Sequence, residues 1–217
     1  MHVVITGANR GIGLALTEKF IREGHDVTAL CRRSSSELKE TSAEIREGVD
    51  VTNSTALESV ANELREIDIL VNNSGVLYGD TFDSINFEQI QKQFEVNTLG
   101  ALRVMLTLGR KVKTGGKIGI ITSRMGSIAD NTSGGQYGYR ISKAAANAVG
   151  KSLAEDLRPR NIPVFLLHPG YVRTEMTSGR GLIDTLESAE GLYNILISKT
   201  MEQTGTFWHT NGEELPW

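Results

Sequence analysis

With 217 residues and 39% hydrophobic side chains, the chain holds enough apolar material for one well-buried domain, expected to span residues 1–217, and too little for two. A formal charge of −3 argues against nucleic acid or an anionic membrane as the main partner, so any anion-binding site has to be local. The single cysteine, Cys31, excludes an internal disulfide, no metal-ligand cluster is visible, and no apolar run approaches membrane length; with no leader ahead of the first strand, the cytoplasm is the expected compartment.

The run His2-Val3-Val4-Ile5-Thr6 reads as a buried strand, and Leu14 to Gly24 has helical period. Between them lies Thr6-Gly7-Ala8-Asn9-Arg10-Gly11-Ile12-Gly13. Strand, glycine-rich turn and helix start together predict a dinucleotide-binding unit, in which free amides of the first helical turn hold a pyrophosphate. The spacing is Gly-x-x-x-Gly-x-Gly, which departs from the usual Gly-x-Gly-x-x-Gly of this fold. Asp26 to Cys31 is expected as a second strand, Glu37 to Arg46 as a short polar helix, and Glu47 to Val51 as a third strand. Asn53 or its neighbours cap a helix through Arg65, with Ala56, Leu57, Val60, Ala61 and Leu64 as its apolar stripe. Further strands are expected at Ile67–Val71, Lys117–Ser123, Ile162–Leu167 and Gly205–Thr210. Helices are expected at Phe87–Lys111, Tyr139–Leu157 and Ser188–Met201.

Nearly all-apolar strands alternating with helices imply an α/β, Rossmann-type doubly wound fold: a mostly parallel seven-stranded sheet with helices on both faces. In such sheets the ligand lies beyond the carboxyl ends of the strands. The segments Thr6–Gly13, Cys31–Arg33, Asp50, Asn72–Gly75, Ser123 and Pro169–Thr174 are therefore expected to meet around one crevice.

Tyr139 and Lys143 stand four apart in an expected helix, on one face and one turn from each other. A nearby ammonium favours the phenolate and is expected to lower the phenol from its ordinary value of about 10, suiting it to acid–base work on an alcohol/carbonyl pair. Ser123 ends a strand sixteen residues earlier, where its hydroxyl can bond a substrate oxygen, with Ser127 as a rival for that role. Asn97 can hold water or backbone behind the lysine.

Over essentially its whole length the chain resembles the short-chain dehydrogenase/reductase family. The matching motifs are Thr6-Gly7-x-x-x-Gly11-Ile12-Gly13, Asp50-Val51, Asn72-Asn73-Ser74-Gly75, Asn97, Ser123-x-x-Gly126, Tyr139-x-x-x-Lys143 and Pro169-Gly170-x-Val172-x-Thr174. Within it, Thr132–Gly135 and Gly205-Thr206-Phe207-Trp208 are similar to the small branch of carbonyl reductases and C-signal-type proteins. Ser74 replaces the usual alanine, and the Ser123–Tyr139 gap is about three residues longer than is common in the family.

The resemblance implies a catalytic set of Asn97, Ser123, Tyr139 and Lys143. Tyr139 would give and take the proton, Lys143 would tune it and hold a ribose, Ser123 would polarise the carbonyl and Asn97 would support a proton relay. Gly7, Asn9, Arg10, Gly11, Ile12, Gly13, Asp50, Val51, Asn73, Gly75, Pro169, Gly170, Val172 and Thr174 would line the cofactor site. Asp50 would meet the adenine, Asn73 the adenosine ribose, and Val172 and Thr174 the carboxamide. An acidic residue at the end of the second strand would select NAD(H), but Cys31 stands there, followed by Arg32 and Arg33. Arginine grips a 2′-phosphate bidentately, so NADP(H) is the expected cofactor, with Arg32 and Arg10 as its determinants. The expected activity is hydride transfer between NADP(H) and a small-molecule aldehyde, ketone or secondary alcohol, in a homodimer or homotetramer. The alternative is a dinucleotide-binding signalling protein without turnover. Glu175 to Glu187 corresponds to the family's substrate lid, and Met125, Tyr137 and Tyr171 are candidates for the pocket wall.

Overall fold

Seven strands, β1 (His2–Thr6), β2 (Asp26–Leu30), β3 (Glu44–Arg46), β4 (Ile67–Asn72), β5 (Val112–Ile121), β6 (Val164–His168) and β7 (Thr206–His209), form one sheet in the order 3-2-1-4-5-6-7. Every pairing is parallel, in a computed structural model that describes residues 1–217. Seven α-helices accompany them: α1 (Gly11–Arg22), α2 (Ser36–Lys39), α3 (Ser54–Glu63), α4 (Phe87–Phe94), α5 (Ala101–Thr107), α6 (Tyr137–Asp156) and α7 (Thr185–Ser198). None is long and apolar enough to cross a membrane.

The inner strands carry apolar runs because both faces of the sheet are covered. Alternate residues enter separate cores. Val3, Ile5, Ile69, Val71, Phe165 and Leu167 pack with Leu16 and Phe20 of α1 and Leu192 and Leu196 of α7. Val4, Leu70, Ile120 and Leu166 pack on the other face with Leu57 and Val60 of α3, Val104 of α5 and Ala154 of α6. Strand order reverses direction between β2 and β4 on either side of β1, and that switch point opens a crevice at the strand ends.

Four expected elements are corrected. The third strand is Glu44–Arg46, not Glu47–Val51: Gly48 turns the chain at φ +74°, and Val49 and Val51 enter the core from the loop that follows. The polar helix expected over Glu37–Arg46 is one turn, Ser36–Lys39, capped by Ser35 Oγ, because the edge strand claims Glu44 to Arg46. The long helix from Phe87 is continuous to Lys111 but not uniform. Its centre, Glu95–Gly100, is a π-helical stretch, and Leu108–Lys111 is a tighter 3-10 turn. The helix through Arg65 ends at Glu63, with Asn53 Oδ1 accepting from Ala56 N as its cap at 3.1 Å.

Candidate active site

β1 delivers the glycine loop to the crevice. Gly13 has to be glycine for space: a Cβ there would lie 2.2 Å from the Gly7 carbonyl oxygen and 2.5 Å from Asn73 Nδ2. That contact presses the start of α1 against the loop. Asn9 and Ile12 sit half-buried on it, while Arg10 is exposed. α1 starts with no side-chain cap and no acidic residue in its first turn. Its leading amides thus remain as donors at the positive end of the helix dipole, which fits a phosphate group of a dinucleotide.

The expected convergence of strand ends is present. Ala8 N donates to the Leu30 carbonyl at 3.2 Å, and Gly48 and Val49 continue the ladder beside Arg32 and Cys31. Asn73 and Ser74 amides both donate to Thr6 Oγ1, at 3.0 and 3.1 Å. The Asn73 side chain braces the loop: Nδ2 donates to the carbonyls of Thr6 and Gly7, at 2.9 and 3.1 Å. Across the crevice, Thr174 lies against Gly11, and the Arg10 guanidinium pairs with Glu175. The Glu175–Glu187 segment folds back on its own root, with Arg173 N bonded to Ile183 O at 3.0 Å and Leu182 N to Tyr171 O at 2.7 Å. Val172 is buried there, and Pro169 and Gly170 turn the chain toward it, the Pro169 carbonyl accepting from Ser188 Oγ at 2.7 Å.

At one end of the crevice, Arg32 is exposed and Asp50 half-buried with Val51 behind it in the core. Burial alone would raise Asp50, but two hydrogen bonds from Thr52 and the charge of Arg32 hold its carboxyl below the usual range.

At the other end, α6 carries Tyr139 and Lys143, both buried. Lys143 Nζ donates to the Ile121 carbonyl at 2.9 Å and lies 5.7 Å from the Tyr139 ring centroid. The expected lowering of the phenol by this ammonium is overturned. Desolvation pushes Tyr139 up to about 12, with a hydrogen bond to Ser123 working weakly the other way, and burial brings Lys143 down to about 8. Enclosure penalises the charged form of each group more than their proximity helps either.

Both serines are buried and each Oγ accepts from a local amide, Ser123 from Met125 N at 3.2 Å and Ser127 from Asp130 N at 3.1 Å, but it is Ser123 that also bonds the phenol. Asn97 sits in the π-helical stretch, where its Oδ1 accepts from Val76 N at 2.8 Å. Its Nδ2 donates to Val76 O at 2.9 Å and to Ser142 Oγ at 3.0 Å. It therefore anchors the backbone after Gly75; a Cβ on Gly75 would lie 3.2 Å from Asn97 Oδ1 and 3.6 Å from Lys143 Nζ. Of the pocket-wall candidates, Met125 is half-buried and Tyr137 and Tyr171 are exposed. Residues not anticipated are Ser142, for which the place before Lys143 is the only hint, and Glu175 and Asp80, for which the sequence carries no local signal.

The family model described as short chain dehydrogenase matches residues 1–182. A 1-hydroxy-2-glutathionyl-2-methyl-3-butene dehydrogenase of Rhodococcus sp. (strain AD45) is 38% identical over 223 residues, covering 99% of each chain. The C-signal of Myxococcus xanthus is 36% identical over 158 residues, 70% of this chain and 93% of that one. Among solved structures, an NADPH-bound carbonyl reductase from chicken fatty liver superposes with a TM-score of 0.89 at 26% identity, covering 100% of this chain and 98% of that one. Fold, motif order and these similarities converge: the chain belongs to the short-chain dehydrogenase/reductase family of oxidoreductases.

Proposed function

We propose that the protein is an NADP(H)-dependent oxidoreductase interconverting a carbonyl compound and the corresponding secondary alcohol. The observation that carries the reading is the enclosure of Tyr139, Lys143 and Ser123 together, with Lys143 next to Gly75 in the loop that packs on the glycine turn ahead of the uncapped α1. When bound, the nicotinamide supplies or accepts the hydride. The amides at the start of α1 would hold its pyrophosphate, Arg32 its 2′-phosphate, joined by Arg10 on leaving Glu175, and Val172 and Thr174 its carboxamide. That an NADPH-bound carbonyl reductase shares the fold supports this choice of cofactor.

The rest falls to side chains around the reacting carbonyl. Ser123 donates a hydrogen bond to the substrate oxygen, building up its charge. Tyr139, protonated at neutral pH because burial raises it, gives its proton to that oxygen. Lys143, the neighbouring cation, stabilises the phenolate left behind and reaches the ribose. Asn97 fixes the Val76 backbone behind the lysine, supporting its reprotonation route.

NADPH consumption against a panel of aldehydes and ketones, run in reverse with secondary alcohols and a hydroxylated glutathione conjugate, tests the reading. Tyr139→Phe is expected to lower kcat by about 10²- to 10⁴-fold while NADPH still binds. A variant as active as wild type would overturn it. Similarity to C-signal supports the alternative of a dinucleotide-dependent signalling protein; NADPH binding without turnover of any carbonyl would favour that outcome. Exposed Phe82, Phe87 and Ile141 beside α4 and on α6 support a homodimer or homotetramer, which sedimentation velocity measures.

A further inference from the structure

α6 has no cap of its own. Gln136, which precedes it, is in the left-handed region at φ 54° and makes no side-chain cap bond. The first turn is instead held from a different part of the chain. Asp80, buried in the segment between β4 and α4 and free of any ion pair, accepts from Tyr137 N through Oδ1 at 2.5 Å and from Gly138 N through Oδ2 at 3.0 Å. Its backbone carbonyl accepts from Gln136 N at 3.0 Å. One residue thus takes three consecutive amides leading directly to Tyr139. The fit is close: a Cβ on Gly138 would lie 2.5 Å from Gln93 Nε2, 2.9 Å from Ile90 Cγ1 and 3.2 Å from Asp80 Oδ2. Gln93, fully buried, secures the same segment by accepting from Tyr78 N at 3.0 Å.

We propose that Asp80 is a positioning residue for the Tyr139 phenol, fixing the first turn of α6 through its hydrogen bonds and cancelling the positive end of that helix through its charge. The proposal rests on the reading of Tyr139 as proton donor and acceptor. An uncancelled helix N-terminus favours an anion in the first turn, so loss of the carboxylate charge makes the phenolate easier to form. The other groups facing the phenol are Lys143 on the same helix and Ser123 after β5, and His168 at the end of β6 feels the charge of Lys143.

Two substitutions separate the duties. Asp80→Asn keeps the shape and one of the two acceptors, sets an NH2 against the other amide and removes the charge; Asp80→Ala removes both side-chain bonds and the charge. Wild type, both variants and Tyr139→Phe are compared for kcat, KM, the pH profile of alcohol oxidation, and NADPH affinity by fluorescence. Asp80→Ala is expected to lower kcat by about 10- to 100-fold, as a misplaced catalytic group does, with NADPH affinity within about twofold of wild type. Asp80→Asn is expected to lower kcat less than Asp80→Ala does, while its profile moves to lower pH by about half a unit. Asp80→Ala with wild-type kcat and only reduced heat stability overturns the proposal, and so does an Asp80→Asn profile superimposable on wild type. The second result decides the matter alone if the alanine variant fails to fold. Wild-type turnover by Tyr139→Phe overturns the acid–base reading itself, and Asp80 with it, which distinguishes the two failures.

Discussion

His168 offers a sharp test of how this fold treats a buried titratable group. It ends β6 with 8% of its surface exposed, its ring edge-on to His209 at 4.9 Å and 72°, and its Nδ1 without a hydrogen-bond partner. Burial, His209 and the Arg124 guanidinium bring its pKa down from 6.5 to about 3, with Asp130 opposing. Because the folded value is depressed, the unfolded chain binds the extra proton first. Stability is therefore complete above about pH 7 and drains away as pH falls through the window from 6.5 towards about 3. Linkage over that window gives about 2 kcal/mol lost by pH 5, and on the order of 5 kcal/mol once pH has fallen below about 3. His168→Gln removes the titration and keeps a polar side chain. Urea unfolding of both proteins at pH 8 and pH 5 measures the effect. Wild type is expected to lose about 2 kcal/mol more than the variant between the two, other carboxylate and histidine contributions cancelling in the comparison. Parallel losses would refute the reasoning, since they would mean that His168 accepts its proton in the folded state as easily as in the unfolded one.

Gly13→Ala forces a methyl group to 2.2 Å from the Gly7 carbonyl, a backbone wall, and to 2.5 Å from Asn73 Nδ2, which its bonds to the Thr6 and Gly7 carbonyls hold in place. It is expected to cost about 1–3 kcal/mol in urea unfolding and to weaken NADPH binding by about tenfold or more; fluorescence titration at wild-type affinity would contradict this. Arg32→Asp exchanges a charge-assisted bond for repulsion, so kcat/KM with NADP(H) is expected to fall at least about tenfold relative to NAD(H). An unchanged ratio would remove Arg32 from cofactor selection. With Tyr139 at about 12 and Lys143 at about 8, reduction is expected to hold level up to about pH 8 and decline above it as the lysine loses its charge. Oxidation needs the phenolate and is expected to rise with pH over the same range; initial rates that fall with pH from neutrality would contradict it.

Where strand and core coincide, the sequence was readable. β1, β4 and β6 carry the apolar runs Val3–Ile5, Ile69–Val71 and Val164–Leu167 because both sheet faces are covered, and those runs announce them. β3 failed the same test for a physical reason. As an edge strand of Glu44, Ile45 and Arg46 it has no run, while the apolar Val49 and Val51 beyond Gly48 serve the core from a turn. Tyr139 and Lys143 were readable because one helical turn links them within a local motif. Asp80 was not, because its partners lie 57 and 58 positions away, nor was the pairing of Arg10 with Glu175 across 165 positions. The direction of the phenol's shift was misjudged because a neighbour rule counts the ammonium but not the water that both groups give up.

The wide turn at Glu95–Gly100 makes chain length in this region indispensable. Deleting one residue there would restore ordinary α-helical winding, and because the wide turn absorbs one extra residue, the helix on either side would keep its facing. Ala101, Val104 and Met105 would stay inward and Leu106 outward. The rewinding would instead fall on Asn97 and displace it from Val76. A shortened helix would therefore preserve the packing and lose the asparagine's hold.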